Sequence, residues 1–339
     1  MSLNASLPIL EPPESDWAVD VDAITNDVSI VLYSIIVVIG ITGNSTVIWV
    51  AGFKLKPKVT NVWLVNLAIA DVIFCFTLIF SLTKKLFFDN WPFGIFLCKF
   101  TGFVTYSDMF CSVFLLAVIS LDRALCIWQP VFTKRCRTVR AAKVVAVCVW
   151  GVAAAFSVPY FAYRQVYRKN NLTKCSLKEF NGSATKTALY AIRIMFGFLL
   201  PFLVILICYV LARIGIRRTV GKSRPLRIIA LLVVAFFVCW APYHCLLLVK
   251  MVGSKNAVVK IMLRVAKGMA YFNSCVNPLL YFCMGLDVRG GFRQSLAEVY
   301  KRALADDTDG QTTQSNERSL DDGASKHTSV VVCNLSITL

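Results

Sequence analysis

The sequence predicts an all-α membrane protein, a seven-transmembrane helix bundle followed by a short amphipathic cytoplasmic helix. Three observations predict it. Apolar residues make up 57% of the 339-residue chain and the mean hydropathy is +0.66, and these residues gather into seven blocks at about 28–52, 60–83, 101–127, 141–162, 188–212, 226–250 and 261–284. Each block is long enough to cross a bilayer as a helix. The net charge of +17 is unevenly placed: Lys54, Lys56 and Lys58 follow the first block, Lys134, Arg135, Arg137 and Arg140 the third, and Arg213, Arg217, Arg218, Lys222, Arg224 and Arg227 the fifth. Short basic loops of this kind stay in the cytoplasm. The N-terminal stretch carries Glu11, Glu14, Asp16, Asp20, Asp22 and Asp27 with no Lys or Arg, so it falls outside.

An odd number of crossings then puts the C-terminus inside, as expected for a multi-pass plasma-membrane protein. The expected organisation is an acidic, glycosylated outer tail over 1–27 and a membrane domain over 28–284. An amphipathic helix on the inner leaflet follows over 285–304, and a disordered, phosphorylatable cytoplasmic tail over 305–339. Seven spans use nearly the whole chain and leave no room for an independent catalytic domain. The sequons at Asn4, Asn171 and Asn181 lie on the outer side and agree with this orientation. The two histidines and the scattered cysteines give no zinc or haem spacing.

The third block organises the others. Cys98 stands at its outer end and Asp122-Arg123 about 37 Å away at the inner one, at 1.5 Å per helical residue. One segment therefore touches both membrane faces, which suits passage of a signal better than passage of a solute. Cys98 and Cys175, the latter in the second outer loop, are placed to form an extracellular bridge.

Taken in order, the first span holds Gly40, Gly43 and Asn44, small residues for close helix approach and a polar one expected to bond across to a neighbour. The second holds Asp71 near its middle, where a carboxylate must be partnered or hydrated. In the third, Asp108 and Ser112 are four apart and share a face. Facing Asp71, they would make a pocket for a sodium ion or a shared proton; facing elsewhere, Asp108 would bond locally. The fourth span carries Trp150 and Pro159, and the loop after it is strongly basic, with Arg164, Arg168, Lys169, Lys174, Lys178 and Lys186. In the fifth, Arg193 either snorkels outward or points inward as a binding cation, with Pro201 and Tyr209 beyond it. The sixth contains Phe236, Cys239, Trp240, Pro242, Tyr243 and His244, and its proline permits a kink. The seventh pairs Arg264 and Lys267 near its outer end with Asn273, Ser274, Asn277, Pro278 and Tyr281 further in. Residues 287–304 alternate apolar and basic positions in the manner of an interfacial helix.

These marks resemble the rhodopsin-like G-protein-coupled receptors over about residues 28–304: Gly43-Asn44, Leu67, Ala68 and Asp71, Cys98, Asp122-Arg123, Trp150, Pro201 and Tyr209, Phe236, Trp240 and Pro242, and Asn277-Pro278 through Tyr281. The resemblance implies an allosteric sodium site at Asp71, Asp108, Ser112, Asn273, Ser274 and Asn277, with Trp240 beside it and no other cofactor. It also implies a switch of Asp122, Arg123, Tyr209, Phe236, Trp240, Pro242, Pro278 and Tyr281, in which Asp122 holds Arg123 in the inactive state. Asp108 stands where related receptors commonly carry Asn, and Ala124 replaces the usual aromatic after the arginine.

The stretches 119–123 and 126–132 resemble the chemoattractant branch, which includes receptors for formyl peptides, anaphylatoxins, chemerin and prostaglandin D2. Finer similarity, in Arg137-Thr138-Val139, Pro159-Tyr160-Phe161 with Arg164, and Pro242-Tyr243-His244, points to the chemoattractant-type prostaglandin D2 receptors. The expected ligand is accordingly an anionic lipid mediator, with a peptide or small-protein attractant as the alternative, held by Thr105, Tyr106, Arg164, Arg193, Tyr243, His244, Arg264 and Lys267. Implied partners are an inhibitory heterotrimeric G protein, receptor kinases, arrestin and membrane lipids; nucleic acid is not among them. A transporter reading lacks paired repeats, an enzyme reading lacks a histidine or metal set beside the carboxylates, and a binding receptor without G-protein coupling is the remaining alternative.

Overall fold

The structure, a computed structural model, describes residues 16–169, 172–177, 183–218, 224–252 and 257–283. The sequons at Asn4, Asn171 and Asn181, the amphipathic segment 285–304, the tail 305–339 and the Tyr281 side chain lie outside the described residues.

Helix α1 spans Asp16–Trp49 and runs on as a π-helical turn over Val50–Lys54. It starts twelve residues earlier than the apolar block does, because between Pro13 and Gly40 no proline or glycine interrupts the helix. Leu55 then turns extended, and Lys56 precedes Pro57, a position that disfavours helix. Helix α2 is Val59–Phe87 and α3 is Gly94–Trp128. Gly94 opens α3 at φ +72°, a conformation that L side chains rarely adopt. The short α4, Pro130–Cys136, begins on a proline whose missing N–H costs nothing at that position. Helix α5, Val139–Tyr163, is capped by Thr138, whose hydroxyl accepts from the Ala141 N–H at 3.1 Å.

The second outer loop contains an antiparallel hairpin that hydropathy alone did not disclose, β1 (Arg164–Lys169) paired with β2 (Leu172–Leu177). The expected Cys98–Cys175 bridge is formed and ties β2 to the head of α3. A second clamp comes from the preceding loop, where the Trp91 N–H donates to the Thr173 carbonyl at 2.9 Å and Asn90 Oδ1 accepts from the Thr173 N–H at 2.6 Å. The hairpin is thus pinned across the outer end of the bundle.

The fifth span is α6 (Ser183–Ile194), a π-helical turn over Met195–Leu199, and α7 (Leu200–Arg218). Pro201 has no N–H to offer the carbonyl four residues back, and the wider turn just before it accommodates the loss. Helices α8 (Arg224–Met251) and α9 (Ala257–Cys283) complete the bundle, with Pro242 and Pro278 inside them. Among the described residues, six segments are long and apolar enough to cross a membrane. α9 is the seventh helix, and its Lys260, Arg264, Lys267, Asn273 and Asn277 dilute its apolar character.

Helix α3 is central and packs on α2, α5, α7 and α8, while α1 packs on α2 and α9. In lipid no hydrophobic force draws helices together, so close backbone approach and interhelical hydrogen bonds matter more. A Cβ on Gly43 would lie 2.9 Å from the Pro278 ring, so only glycine lets α1 meet α9 there. Asn44 Nδ2 donates to the Ser274 carbonyl at 2.8 Å, the cross-helix bond expected of it, and Trp150 Nε1 donates to Asn66 Oδ1 at 3.0 Å, joining α5 to α2. Side chains such as Val147, Ile207 and Val238 are exposed and face where hydrocarbon would lie.

Candidate functional site

Three levels of the bundle carry the predicted residues. At the outer level Arg193, on the last turn of α6, points inward and is 1% exposed. Its Nη1 donates to the hydroxyls of Tyr106 and Tyr243, each at 2.8 Å. The rings of Tyr106, Tyr190 and Tyr243 stand 5.1–5.2 Å from the guanidinium carbon, within cation–π range. Tyr160 stacks on Tyr106 at 3.7 Å between centroids and donates to the Leu189 carbonyl at 2.8 Å, fixing the cage to α6. Among the described residues no carboxylate pairs with Arg193, and its Nε has no hydrogen-bond partner.

A cavity of about 30 Å³ lies beside the cage, lined by Thr105, Tyr106, Arg164, Trp240, Tyr243, Lys267, Ala270 and Tyr271. Five of the eight expected ligand residues thus meet around one opening. Arg193 stands one layer behind it, screened by Tyr106 and Tyr243, two of the three tyrosines that line it, and not on the wall itself as the sequence suggests. Arg164 reaches in over Gly102, where a Cβ would fall 2.6 Å from its Cδ, and its Nε lies 3.1 Å from Cys175 Sγ. The Lys267 ammonium sits 5.2 Å from the Tyr271 ring centre. Arg264 is exposed, about a turn further out on α9. His244 does not line the cavity: one helical position past Tyr243, it turns away and stacks on Phe198 at 4.8 Å with neither ring nitrogen hydrogen-bonded.

At the middle level Asp71, Asp108, Ser112, Asn273, Ser274 and Asn277 are all buried. Asn277 Nδ2 donates to Asp71 Oδ2 at 2.8 Å, Ser274 also hydrogen-bonds Asp71, and Asp108 lies within electrostatic range of it. Asp71 Oδ1, Asp108 Oδ1, Ser112 Oγ and Asn44 Oδ1 are buried without hydrogen-bond partners. Unpartnered oxygens of this kind are costly in a dry interior, and a hard cation takes oxygen ligands, so the donor set fits sodium. No group of three or more His, Cys, Asp or Glu placed to hold a metal occurs among the described residues, and the oxygens here come from two carboxylates with hydroxyl and amide groups. Trp240 sits just above, buried, with Phe236 at 6.0 Å between ring centres.

At the inner level the expected pairing of Asp122 with Arg123 is present as an ion pair but is shared. The Asp122 carboxylate takes its hydrogen bonds from Arg137, with Nε to Oδ1 at 2.8 Å and Nη2 to Oδ2 at 3.1 Å. Arg123 Nε stands 3.7 Å from Asp122 Oδ2, and its Nη2 donates to the Thr60 hydroxyl. Arg137 wins because it approaches from the loop after α4 and presents two parallel N–H groups, the geometry that suits a carboxylate. Burial lowers the Arg137 pKa, but the hydrogen bond and charge of Asp122 outweigh this and hold it above its ordinary value. Thr60 and Arg137 were not singled out as switch residues. In the sequence Arg137 stands out as a basic loop residue and as part of the Arg137-Thr138-Val139 stretch, and no local pattern ties it to a carboxylate fifteen positions earlier. Tyr209 is exposed on α7.

The sequence matches the 7 transmembrane receptor (rhodopsin family) profile over residues 43–281. It is 37% identical over 284 residues to the C3a anaphylatoxin chemotactic receptor of Danio rerio, covering 83% of this chain and 78% of that one. It is 37% identical over 312 residues to formyl peptide receptor 2 of Mus musculus, covering 86% and 89%, and 35% identical over 305 residues to the C5a anaphylatoxin chemotactic receptor 1 of Danio rerio, covering 87% and 88%. A bundle joined through polar groups at three depths, with these relatives along most of its length, makes the chain a member of the rhodopsin family of seven-transmembrane receptors, a G-protein-coupled receptor of the chemoattractant type and not an enzyme.

Proposed function

We propose that this receptor binds a peptide or small-protein attractant through its free C-terminal carboxylate, with Arg193 as the counter-charge, and passes occupancy through α8 to Arg123 and an inhibitory heterotrimeric G protein. The observation that carries the reading is a fully buried arginine held only by neutral tyrosine hydroxyls. A guanidinium with no anionic partner in a dry site gains strongly from an arriving carboxylate. Arg164 and Lys267 at the opening would draw the acid in, and Tyr106 and Tyr243 would part to admit it. The names of the relatives, for C3a, C5a and formyl peptides, favour a peptide over prostaglandin D2. The N-terminus is taken as extracellular and the C-terminus as cytoplasmic, where receptor kinases and arrestin would act on 305–339.

The sodium reading belongs to the same proposal and rests on the unpartnered oxygens of Asp71, Asp108 and Ser112. Sodium there would neutralise the paired carboxylates and favour the inactive packing under Trp240.

The test is nucleotide exchange on inhibitory G protein by the reconstituted receptor, using C3a-type, C5a-type and formylated peptides as free acids and as C-terminal amides, with prostaglandin D2 alongside. A peptide acid should activate, and Arg193→Ala should reduce it to the level of its own amide while leaving the amide unaffected. Activation by prostaglandin D2 alone would overturn the peptide reading. Exchange that ignores every probe would overturn the coupling.

A further inference from the structure

A larger cavity, about 400 Å³, lies in the inner half of the bundle between α7, α8 and α3, away from the outer opening and the sodium residues. That volume is in the range of small-ligand sites. Its walls are apolar: Phe202, Ile205 and Leu206 from α7 face Val233, Val234 and Phe237 from α8. Phe202, Leu206 and Val234 are 37%, 44% and 56% exposed, so the cavity opens toward the bilayer and not toward water. From Phe202 to Ala212 it follows α7 for ten residues, about 15 Å.

The inner end differs from the walls. Ser120 and Arg123 line it, and Ser120 is 6% exposed with its hydroxyl unpartnered. A serine inside a helix usually bonds the carbonyl a turn earlier, so this free hydroxyl is available to a ligand. Arg123 Nε also lacks a hydrogen bond: Asp122 stands 3.7 Å away as an ion pair, with its hydrogen bonds taken up by Arg137. A long apolar slot open to hydrocarbon, ending in a hydroxyl and a permanent cation five residues before α3 ends, has the polarity of an inner-leaflet amphiphile.

We propose that the α7–α8 slot binds a single-chain anionic amphiphile of the fatty-acid class, its tail between Leu206 and Val234 and its carboxylate on Ser120 and Arg123. The charge complement selects an acid over a sterol or a neutral alcohol. Such an occupant would hold α8 against α7 and occupy the face of Arg123. This inference does not depend on the nature of the outer ligand.

The test uses the full-length receptor in lipid nanodiscs, photolabelled with a diazirine derivative of dodecanoic acid, the sites being read by mass spectrometry. Label should concentrate on the α7 and α8 segments that line the slot, and dodecanoate should displace it at least tenfold better than dodecanol. Leu206→Trp and Val234→Trp, which fill the slot from opposite walls, should each remove it while retaining a cooperative melt in detergent. Competition in the unaltered protein gives an answer even where a bulky variant fails to fold. Equal displacement by dodecanol, better displacement by cholesterol, or label spread evenly over the lipid-facing helices would each overturn the assignment.

Discussion

Arg193 and Arg123 sit at opposite ends of one bundle and are satisfied in opposite ways. Arg193 is sealed off and meets only hydroxyls and aromatic faces. Arg123 has a carboxylate as its chain neighbour, yet that carboxylate is turned to Arg137, and Arg123 leans on a threonine hydroxyl. The outer end therefore carries a charge with no anion in place, which makes it responsive to a ligand. The inner end carries its anion within a set of three, which makes it responsive to a change of partner. The cavities follow the same division, a small one of about 30 Å³ beside the cage and an apolar one of about 400 Å³ beside Arg123.

The largest effect should come from the outer arginine. Removing one partner of a buried charge pair costs about 2–5 kcal/mol, so Arg193→Ala should weaken a peptide acid by about 30-fold to several thousand-fold in a binding titration. Arg193→Lys keeps the charge but not the planar fork and should fall between the two. If Arg193→Ala leaves affinity intact, the outer end is not the charge-seeking one and the contrast between the two arginines fails.

The middle level should respond next. Asp108→Asn removes one of the two carboxylates, and sodium titrations of peptide affinity should shift to about tenfold higher concentration, equivalent to about 1.4 kcal/mol. Asp71→Asn should abolish the sodium dependence. Unchanged sodium dependence in Asp108→Asn would place Asp108 outside the site, bonded locally as the second sequence reading allowed.

At the inner end, Arg137→Ala should release Asp122 to Arg123. Hydrogen bonds to charged groups contribute about 1.5–3 kcal/mol when protected. The Arg137 side chain is 25% exposed, so about 1 kcal/mol and a roughly fivefold fall in basal nucleotide exchange are expected. Asp122→Asn should raise basal exchange instead. A rise in Arg137→Ala would mean that Arg137 does not compete with Arg123 for Asp122, and no rise in Asp122→Asn would mean that Asp122 does not restrain Arg123.

The spans, the bridge and the buried polar cluster at mid-membrane were legible because each depends on local chemistry: block hydropathy, a cysteine at each of two outer segments, or a polar residue too deep to be incidental. Asp71, Asp108 and Ser112 could be named because a carboxylate or hydroxyl at mid-membrane needs a reason. The second partner of Asp122 was not legible, since Arg123 is its neighbour in sequence and only the path of the chain through α4 brings Arg137 alongside. The hairpin is not legible because its strands are six residues each, the first strongly basic and the second without clear alternation, and it is fastened from outside by the bridge and by Trp91 and Asn90. His244 was read with Tyr243 because they are adjacent, but adjacent residues on a helix point about 100° apart, so only one of them could face the cavity.

The smallest effect is the one that tests the comparison most directly. Thr60→Val deletes the hydroxyl that accepts from Arg123 Nη2 and, at 3.4 Å, from Arg137 Nη2, while keeping the side-chain shape. The Arg123 side chain is 19% exposed, so water can replace the lost acceptor. Basal exchange should rise only about twofold, corresponding to about 0.5 kcal/mol, and Thr60→Ser should leave it unchanged. Tyr106→Phe makes the same kind of deletion beside Arg193, which is 1% exposed and so far less open to water than Arg123. There the cost should be about 1.5–3 kcal/mol of thermal stability in the ligand-free protein. Melting curves of the two variants in one detergent decide the matter: equal losses would show that burial is not what separates the two arginines, and that their difference lies in the choice of partner alone.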